Sequence, residues 1–285
     1  HRNLRISVTD RCNIRCFYCM PEHVEFLPST SVLSFEEIAR VAGVAATMGV
    51  NRIRLTGGEP LVRSQLHKLV AMLRQINGIE DIAMTTNGIL LAEHARPLRD
   101  AGLDRLNVSL DTIDPQKFEQ ITRRRGLEKV LEGIGAAQAA GFTRIRINAV
   151  SIAGLTDHDV LPLARFCRER DLELRFIEFM PVDGDQQWDD GQVLSGDRIR
   201  AMIGAAISPL VPADRDNLSQ PAVDYCYADG DGIVGFINPV TQPFCSDCDR
   251  LRLTAEGKVR NCLFSHAEWD VRSVLRGGES DAAIE

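Results

Sequence analysis

The sequence predicts an α/β protein with a parallel sheet of six strand–helix units and a smaller α+β extension behind it. Three observations support this prediction. Apolar strand-like segments alternate with helical segments over residues 4–179, an order typical of parallel strands joined by helical crossovers. Polar and glycine-containing motifs follow the strands directly, at the end where such sheets collect their ligands. Beyond residue 182 the alternation stops, and short strand-like pieces replace it.

The strand–helix units can be placed in order along the chain. Ser34 and Glu37 form a capping-box pattern that starts the first helix, and Gly49 ends it. Gly141 ends a later helix in the same way. The predicted strands are residues 4–8, 52–55, 82–85, 105–110, 144–150 and 173–179, and the predicted helices are residues 34–48, 65–76, 90–101, 127–140 and 159–170.

The chain after residue 182 is expected to form a second unit. Residues 183–190 are acidic and rich in turn formers, which favours a surface connection, so we divide the chain into domains 1–182 and 183–285. A last helix is expected to begin at Ser265, because Glu268 three residues later completes a capping-box pattern. The other predicted elements of this unit are a short helix over 195–203 and strands over 208–211, 223–227 and 232–237.

Composition limits the classes of function. The chain has 285 residues, 44% of them hydrophobic, and a net charge of -7, so no broad nucleic-acid surface is expected. No apolar run approaches the roughly 20 residues that cross a membrane. Eight cysteines in a chain of this length favour a reducing, cytoplasmic location over a secreted disulfide scaffold. Because His1 is not an initiator methionine, the sequence leaves open an organellar targeting segment ahead of it.

Cys12, Cys16 and Cys19 form a first cysteine group directly after the first strand. A loop this short can direct three sulfurs at one small object, and thiolates suit zinc, copper(I) or iron–sulfur clusters. A structural zinc or an ordinary four-thiol cluster needs a fourth protein ligand, and nearby in sequence only His23 could serve. Three thiolates with one vacancy indicate a cluster whose remaining iron can bind another ligand.

Cys245, Cys248 and Cys262 form a second cysteine group near the end of the chain. A CxxC pair with a distant third cysteine is a common zinc arrangement, and His266 or Asp247 could complete a tetrahedron. Spacing alone therefore favours zinc over an iron–sulfur cluster at this second group. The two remaining thiols, Cys167 on a helix and Cys226 in a strand, are expected to be core cysteines.

Several predicted strands carry arginine in phase with their apolar residues. Strands covered by helices are normally hydrophobic throughout, and an unpaired buried guanidinium is costly. One interpretation is ion pairs with Glu59, Asp111, Glu173 or Glu178, which we expect for about half of these arginines. The other is a polyphosphate inside the sheet, because guanidinium groups bind phosphate oxygens two at a time. The arginines in question are Arg5, Arg54, Arg144, Arg146 and Arg175, to which Arg250 and Arg252 add a pair on one strand face.

The first cysteine group resembles the signature of the radical S-adenosylmethionine (radical SAM) enzymes, with three and then two residues between the cysteines and Tyr18 before the last. Together with the second cysteine group, the chain resembles the GTP 3′,8-cyclase family of molybdenum cofactor biosynthesis. That likeness turns the preference at the second group from zinc to iron–sulfur. It covers nearly the whole chain and rests on Leu4-Arg5-Ile6-Ser7-Val8-Thr9-Asp10-Arg11-Cys12-Asn13, Arg54-Leu55-Thr56-Gly57-Gly58-Glu59-Pro60, Thr86-Asn87-Gly88, Asn107-Val108-Ser109-Leu110-Asp111 and Cys245-Ser246-Asp247-Cys248-Asp249-Arg250-Leu251-Arg252.

The resemblance implies an open, partial (β/α)6 barrel with two [4Fe-4S] clusters, SAM as cofactor and GTP as substrate. The first cluster would be held by Cys12, Cys16 and Cys19, and the second, facing the guanine, by Cys245, Cys248 and Cys262. The implied SAM residues are Tyr18, Gly58, Ser109 and Met180. The implied GTP residues are Arg5, Arg54, Thr85, Arg146, Arg250 and Arg252, and Arg250 and Arg252 are also counted as catalytic beside the first three cysteines.

The resemblance also implies a reaction. In that family the reduced first cluster cleaves SAM, and the resulting 5′-deoxyadenosyl radical removes hydrogen from C3′ of GTP. The ribose then adds to C8 and gives 3′,8-cyclo-7,8-dihydro-GTP. A homodimer, an electron donor and a downstream pterin-forming enzyme that takes the product are implied as partners.

Two features depart from the family pattern. Arg146 stands where the family usually has lysine, which changes a point charge into a fork of donors. The family also has a C-terminal tail that ends in glycines. This sequence ends at Glu285 without such a tail, and Gly277-Gly278 lies too early to be it, so slow turnover is expected of the chain as given.

Two other functions fit parts of the sequence. A radical SAM peptide- or protein-modifying enzyme also carries auxiliary clusters in a C-terminal extension, but such extensions generally hold more than three cysteines. A non-enzymatic zinc-binding module would contain zinc and no sulfide. GTP binding without dependence on a peptide excludes the first alternative, and metal analysis excludes the second.

Overall fold

The strands of the repeated units pair with one another in chain order. A computed structural model describes residues 1–182, 188–214 and 219–284. The six central strands are parallel: β1 Asn3–Ser7, β2 Arg52–Thr56, β3 Asp81–Thr86, β4 Arg105–Ser109, β5 Ile145–Ser151 and β6 Glu173–Glu178. The helices between and after them are α1 Phe35–Thr47, α2 Leu66–Arg74, α3 Leu91–Asp100, α4 Pro115–Thr122, α5 Leu127–Ala139 and α6 Val160–Glu169. These elements confirm the predicted α/β class, and the predicted strands and helices differ from them by no more than two residues at either end.

Each central strand has one apolar face and one polar face. Leu4 and Ile6 of β1 are fully buried in the same core as Ile53 and Leu55 of β2, together with apolar residues of the helices. Because side chains alternate across a strand, the intervening residues point to the opposite face. Those intervening residues include the arginines noted in the sequence. The helices therefore cover the apolar face, and the polar face is left to line a site.

The C-terminal extension adds strands to both edges of the central sheet. Strand β9 pairs in parallel with β6, and strand β10 pairs in parallel with β1, so that the twelve strands of the described residues form one sheet. The strands of the extension are β7 Leu210–Pro212, β8 Val223–Tyr227, β9 Ile233–Ile237, β10 Arg250–Leu253, β11 Lys258–Arg260 and β12 Trp269–Asp270, and its helices are α7 Gly196–Ala206 and α8 Val271–Arg276. The division at residue 182 stays a prediction, and most of the acidic connection proposed there, residues 183–187, lies outside the described residues.

The prediction that a helix begins at Ser265 is wrong. Ser265 Oγ accepts a hydrogen bond from the backbone N–H of Ala267 at 3.1 Å, which makes a local turn, and Glu268 pairs with Arg260 instead of closing a capping box. Helix α8 begins later, with Asp270 as the cap that accepts from Ser273 N–H at 3.1 Å. Trp269 and Asp270 instead form β12, which pairs with β11, and this long-range pairing overrides the local pattern.

Side-chain contacts join helix α8 and the residues after it to helix α1 and the segment before it. These contacts help to position the edge strands of the extension. Arg276 donates to Glu37 at 2.7 Å and to the carbonyl of Thr30 at 2.6 Å. Arg40 pairs with Asp281 at 2.8 Å. Within the described ranges, none of the helices is both long and apolar enough to span a bilayer.

Candidate active site

The first cysteine group lies in a tightly turned loop after β1. The backbone N–H groups of Cys19 and Met20 both donate to the carbonyl of Cys16, at 2.9 and 3.0 Å. The loop is anchored on the end of α4, where Arg15 N–H donates to the carbonyl of Thr122 at 2.9 Å. These bonds place the cysteines at the carboxyl end of the central sheet, as the sequence predicts.

The three thiols of the loop share one electrostatic environment. Burial, followed by the charges of Asp111, Cys19 and Cys12, raises the pKa of the Cys16 thiol well above its usual value. Burial also raises the pKa of Cys12 and of Cys19. Because ligation requires thiolates, loading a metal here would release protons.

Each cysteine group offers three thiols as ligands. Within residues 1–182, 188–214 and 219–284, no three side chains of His, Cys, Asp and Glu converge closely enough to hold one ion. His23 and His266, the candidate fourth ligands for zinc, are both exposed. Three thiolates are a donor set that an iron–sulfur cluster uses.

The glycines of the Gly57-Gly58-Glu59 motif are required by the cysteine loop. The N–H groups of Gly58 and Glu59 donate to the carbonyls of Thr9 and Arg11, each at 2.8 Å. A Cβ atom at Gly58 would lie 2.3 Å from the carbonyl oxygen of Arg11. Without a Cβ, these glycines allow the backbone of the cysteine loop to approach the motif closely.

Glu59 and Asn87 connect the end of β3 to the cysteine loop. Glu59 is buried and accepts hydrogen bonds from Leu61 N–H, Thr86 Oγ1 and Asn87 N–H at 3.0, 2.7 and 2.6 Å. Burial nevertheless raises the pKa of Glu59 to about 7. Asn87 Nδ2 in turn donates to Asn13 at 2.7 Å. Glu59 is one of the ion-pair partners expected for the strand arginines, but in the described residues its carboxylate accepts these hydrogen bonds instead. No role was predicted for Asn87, although a polar residue at the end of a strand was the available signal.

Tyr18 and Ser109, two of the implied SAM residues, line one small cavity beside Cys16. The hydroxyl of Tyr18 donates to Asp111 at 2.6 Å, and the N–H of Val150 donates to the other oxygen of that carboxylate at 2.8 Å. Burial raises the pKa of Asp111 to about 6. The other two implied residues, Gly58 and Met180, do not line this cavity.

Four arginines form a cationic group on the polar face of the sheet. Arg5 on β1 lies in register with Arg54 on β2 and with Arg252 on β10. Burial, followed by the charges of Arg54, Arg252 and Arg250, lowers the pKa of Arg5. Burial and neighbouring cations lower the pKa of Arg54 to about 9. Across the described part of the chain, none of these four guanidinium groups pairs with a carboxylate.

The other three strand arginines singled out in the sequence are paired. Arg144 and Arg146 both pair with Glu173, the former at 3.8 Å. Arg175 pairs with Asp224 at 3.1 Å. Thr85, the remaining implied GTP residue, accepts from Arg54 at 3.5 Å. Arg146 is only 5% exposed and already has a carboxylate partner, which distinguishes it from the unpaired group.

The second cysteine group lies next to the unpaired arginines. Cys245 and Cys248 flank one turn of helix, with Cys248 N–H donating to the carbonyl of Cys245 at 3.3 Å. The guanidinium of Arg252 is close enough to Cys248 and Cys262 for both thiols to affect its pKa. Cys248, which precedes β10, and Cys262, which follows β11, thus lie near the cationic group.

A parallel sheet whose first strand leads into three closely spaced cysteines is the arrangement of a radical SAM protein, and the sequence profile of the Radical SAM superfamily matches residues 6–167. The profile described as Molybdenum Cofactor Synthesis C matches residues 172–285. With relatives of 53%, 48% and 44% identity over almost its whole length, the chain belongs to the GTP 3′,8-cyclase family.

Those relatives are each named GTP 3′,8-cyclase. The protein of Rhodopirellula baltica is 53% identical over 99% of this chain and 79% of its own length. The protein of Acidothermus cellulolyticus is 48% identical over 100% and 80%, and that of Thermodesulfovibrio yellowstonii 44% identical over 99% and 87%.

Solved structures share the fold at low sequence identity. The crystal structure of Streptococcus suis SuiB bound to S-adenosylmethionine superimposes with a TM-score of 0.73 at 14% identity, over 95% of this chain and 63% of SuiB. The structure of anSMEcpe with bound AdoMet gives 0.60 at 16% identity, over 93% and 75%. At these identities the likeness concerns the fold alone.

Proposed function

We propose that this chain converts GTP to 3′,8-cyclo-7,8-dihydro-GTP, the first step of molybdenum cofactor biosynthesis. The observation that carries the proposal is the unpaired cationic group of Arg5, Arg54, Arg250 and Arg252 beside the second cysteine group. Four guanidinium groups held together without carboxylate partners need an anion of several charges. The triphosphate of GTP, the substrate in the relatives' names, supplies such an anion.

The first cysteine group is proposed to hold a [4Fe-4S] cluster through Cys12, Cys16 and Cys19. The cluster and SAM, when bound, supply a carbon radical that removes a hydrogen atom from the substrate. Tyr18 and Ser109 are proposed to bind SAM, since they share a cavity with Cys16. Gly58 and Met180 are proposed to bind SAM as well, on the resemblance alone.

The cationic group is proposed to hold the triphosphate, with Thr85 and Arg146 completing the substrate site. A bound triphosphate relieves the mutual repulsion of the arginines and returns the pKa of Arg5 and Arg54 toward its ordinary value. Holding the substrate at a fixed place relative to the cysteine loop converts an encounter into an intramolecular step. We propose that Arg250 and Arg252 also act on the reacting nucleotide, because they adjoin the second cysteine group.

The second cysteine group is proposed to hold a second [4Fe-4S] cluster through Cys245, Cys248 and Cys262. Its donor set would again be three thiols. A cluster with a vacancy beside the cationic group would bind the guanine while the arginines bind the phosphates. Replacing Arg252 is expected to weaken GTP binding more than SAM binding.

The partners are proposed from family membership. We propose that the chain acts as a homodimer, receives electrons from a donor and passes its product to a pterin-forming enzyme. Sedimentation of the cluster-loaded protein at several concentrations tests the first of these statements, since a dimer of this chain has twice the monomer mass of 31.6 kDa.

The deciding experiment is reconstitution with iron and sulfide under argon, followed by assay with SAM, a reductant and GTP. We expect both 5′-deoxyadenosine and a cyclised nucleotide. Cys16→Ala is expected to abolish both products, whereas the matched control Cys167→Ala, in the core of α6, is expected to retain them. Normal release of 5′-deoxyadenosine by Cys16→Ala, or deoxyadenosine without any cyclised nucleotide in the parent protein, contradicts the proposal.

A further inference from the structure

Strand β6 ends at a buried carboxylate, Glu178, which is only 2% exposed. One of its oxygens accepts hydrogen bonds from Val240 N–H and Thr241 N–H, each at 3.0 Å, and the other accepts from the hydroxyl of Thr241. The sequence suggests Glu178 as a partner for a strand arginine, but in the described residues its carboxylate binds residues 238–244 instead. We call residues 238–244 the connecting segment.

The connecting segment leads directly into Cys245 of the second cysteine group. Thr241 and Gln242 at its centre are exposed, so burial contributes little to holding them. Its own backbone contact is local, from Gln242 N–H to the carbonyl of Asn238 at 3.0 Å. Glu178 therefore supplies the hydrogen bonds that hold the segment against the end of β6.

The residues that follow Glu178 belong to the other half of the site. The ring of Phe179 lies 6.5 Å, centre to centre, from the ring of Tyr18, which lines the cavity beside Cys16. Met180 comes next in the chain and is proposed to bind SAM. We call the Tyr18 cavity and Met180 the SAM side of the site. The main chain at Glu178 thus leads to the SAM side, while its carboxylate holds the segment before the second cysteine group.

We propose that Glu178 is a positioning residue, which fixes the second cysteine group at the separation from the SAM side that the reaction of GTP requires. This inference rests on the proposed function. The guanine would bind at the second cysteine group, whereas the hydrogen atom of the ribose is removed from the SAM side, so the two sides must stand at one distance. A misplacement of about 1 Å can slow such a step by roughly 100-fold.

Replacement of Glu178 by methionine and by glutamine tests the proposal. Methionine is similar in size but accepts hydrogen bonds only weakly, so Glu178→Met releases the connecting segment. Glu178→Gln is the matched control, because the amide oxygen can accept both N–H groups and the amide nitrogen can donate to Thr241. Both variants are loaded with iron and sulfide and checked for equal iron content. They are then assayed with SAM, a reductant and GTP for 5′-deoxyadenosine and the cyclised nucleotide.

We expect Glu178→Met to form 5′-deoxyadenosine at the parent's rate but to give about tenfold less cyclised nucleotide per deoxyadenosine. Glu178→Gln is expected to stay within about twofold of the parent in this product ratio. Electron paramagnetic resonance of the second cluster, titrated with GTP, gives a readout that does not depend on turnover. The spectral change caused by GTP should require at least about 3-fold more nucleotide in Glu178→Met than in the parent.

A second pair of variants removes the contact from the other side. Thr241 is exposed, so its replacement leaves the core intact. Thr241→Val loses the hydroxyl that donates to Glu178 and should lower the product ratio about 2- to 3-fold. Thr241→Ser keeps the hydroxyl and should match the parent. These two variants decide the question if Glu178→Met binds less iron or does not fold.

Three outcomes overturn the positioning role. The parent's product ratio in Glu178→Met, at equal iron content, shows that the carboxylate does not set the separation. An equal loss in Glu178→Met and Glu178→Gln assigns the effect to the negative charge. An equal loss in Thr241→Val and Thr241→Ser shows that the hydroxyl contact is not what matters. A parent protein that forms 5′-deoxyadenosine without any cyclised nucleotide would instead count against the proposed function, so the two failures are distinguishable.

Discussion

Arg250 donates a hydrogen bond from Nε to the sulfur of Cys248 at 3.1 Å. This contact joins the cationic group to the second cysteine group, and it helps to hold the pKa of the Cys248 thiol below its usual value, although burial acts in the opposite direction. The guanidinium also lies over the ring of Phe244, 5.1 Å from its centre. Arg250 therefore contacts the Cys248 sulfur and also belongs to the cationic group on the polar face of the sheet.

Replacing Arg250 is expected to change the second cluster as well as GTP binding. A charged donor to a ligand sulfur stabilises the reduced cluster, so Arg250→Gln should lower the reduction potential of that cluster. Redox titration followed by electron paramagnetic resonance measures this, with Arg260→Gln on the neighbouring strand as the control. If Arg250→Gln weakens GTP binding but leaves the reduction potential of the second cluster unchanged, Arg250 acts on the phosphates of GTP and not on the cluster.

Replacing Arg54 is expected to stabilise the cluster-free protein and to weaken GTP binding. Arg54→Met removes a buried cation that has no carboxylate partner, so the free energy of unfolding should rise by about 1–3 kcal/mol. GTP affinity should fall by at least about tenfold, because a charge-assisted bond is lost. Urea unfolding and equilibrium dialysis measure the two effects.

Arg105→Met provides the matched control for Arg54→Met. Arg105 lies on the next strand but one and pairs with Asp81, so its loss leaves a partly buried carboxylate without a partner. We expect this variant to lose about 2–4 kcal/mol of stability. If both variants destabilise equally, Arg54 is a structural residue rather than part of an anion site.

A methyl group at Gly58 is expected to disrupt the cysteine loop. The added Cβ would meet the carbonyl oxygen of Arg11 at 2.3 Å, so Gly58→Ala should load much less iron and sulfide than the parent and unfold at a lower temperature. Gly43→Ala is the control, since nothing lies within 4 Å of a Cβ there in helix α1. That variant should gain about 0.5–1 kcal/mol of stability. Normal loading of Gly58→Ala contradicts the packing argument.

Glu59 is expected to make the cluster-free protein less stable as pH rises. Its pKa is about 7 in the folded chain, above the value of about 4.3 in an unfolded chain. Between these pH values the folded state holds more protons, so stability falls with rising pH, by on the order of 3 kcal/mol across the window. Urea unfolding from pH 4.5 to pH 8 should show this loss in the parent and a flatter profile in Glu59→Gln.

Glu37→Gln tests the sign of the Glu59 effect. The pKa of Glu37 is lowered chiefly by Arg276, so its stabilisation is present above about pH 4.3 and is lost only as pH falls below that value. Between pH 4.5 and pH 8 the difference between this variant and the parent should therefore stay nearly constant. A Glu59→Gln profile parallel to the parent's over the same range would show that burial does not raise the pKa of Glu59.

The extension shows where prediction from the sequence fails. Its strands β8 and β9 were recognisable from their apolar residues, but nothing local indicated that β9 and β10 pair with opposite edges of the central sheet. The capping pattern at Ser265 predicted a helix because the pairing of Trp269 with Val259 is invisible in the local sequence. Partners distant in the chain decide such segments, and local propensity is only a weak guide to them.

The sequence alone determined the α/β class, the order of the central elements and the two cysteine groups, because each depends on residue types at short spacing. Only the tertiary structure decided which arginines are paired. Arg5, Arg54 and Arg146 look alike in sequence, yet Glu173 neutralises Arg146 while Arg5 and Arg54 lie among other cations. The reason is physical: the charge state of a buried group depends on what lies opposite it across the sheet, and strand register alone sets that neighbour.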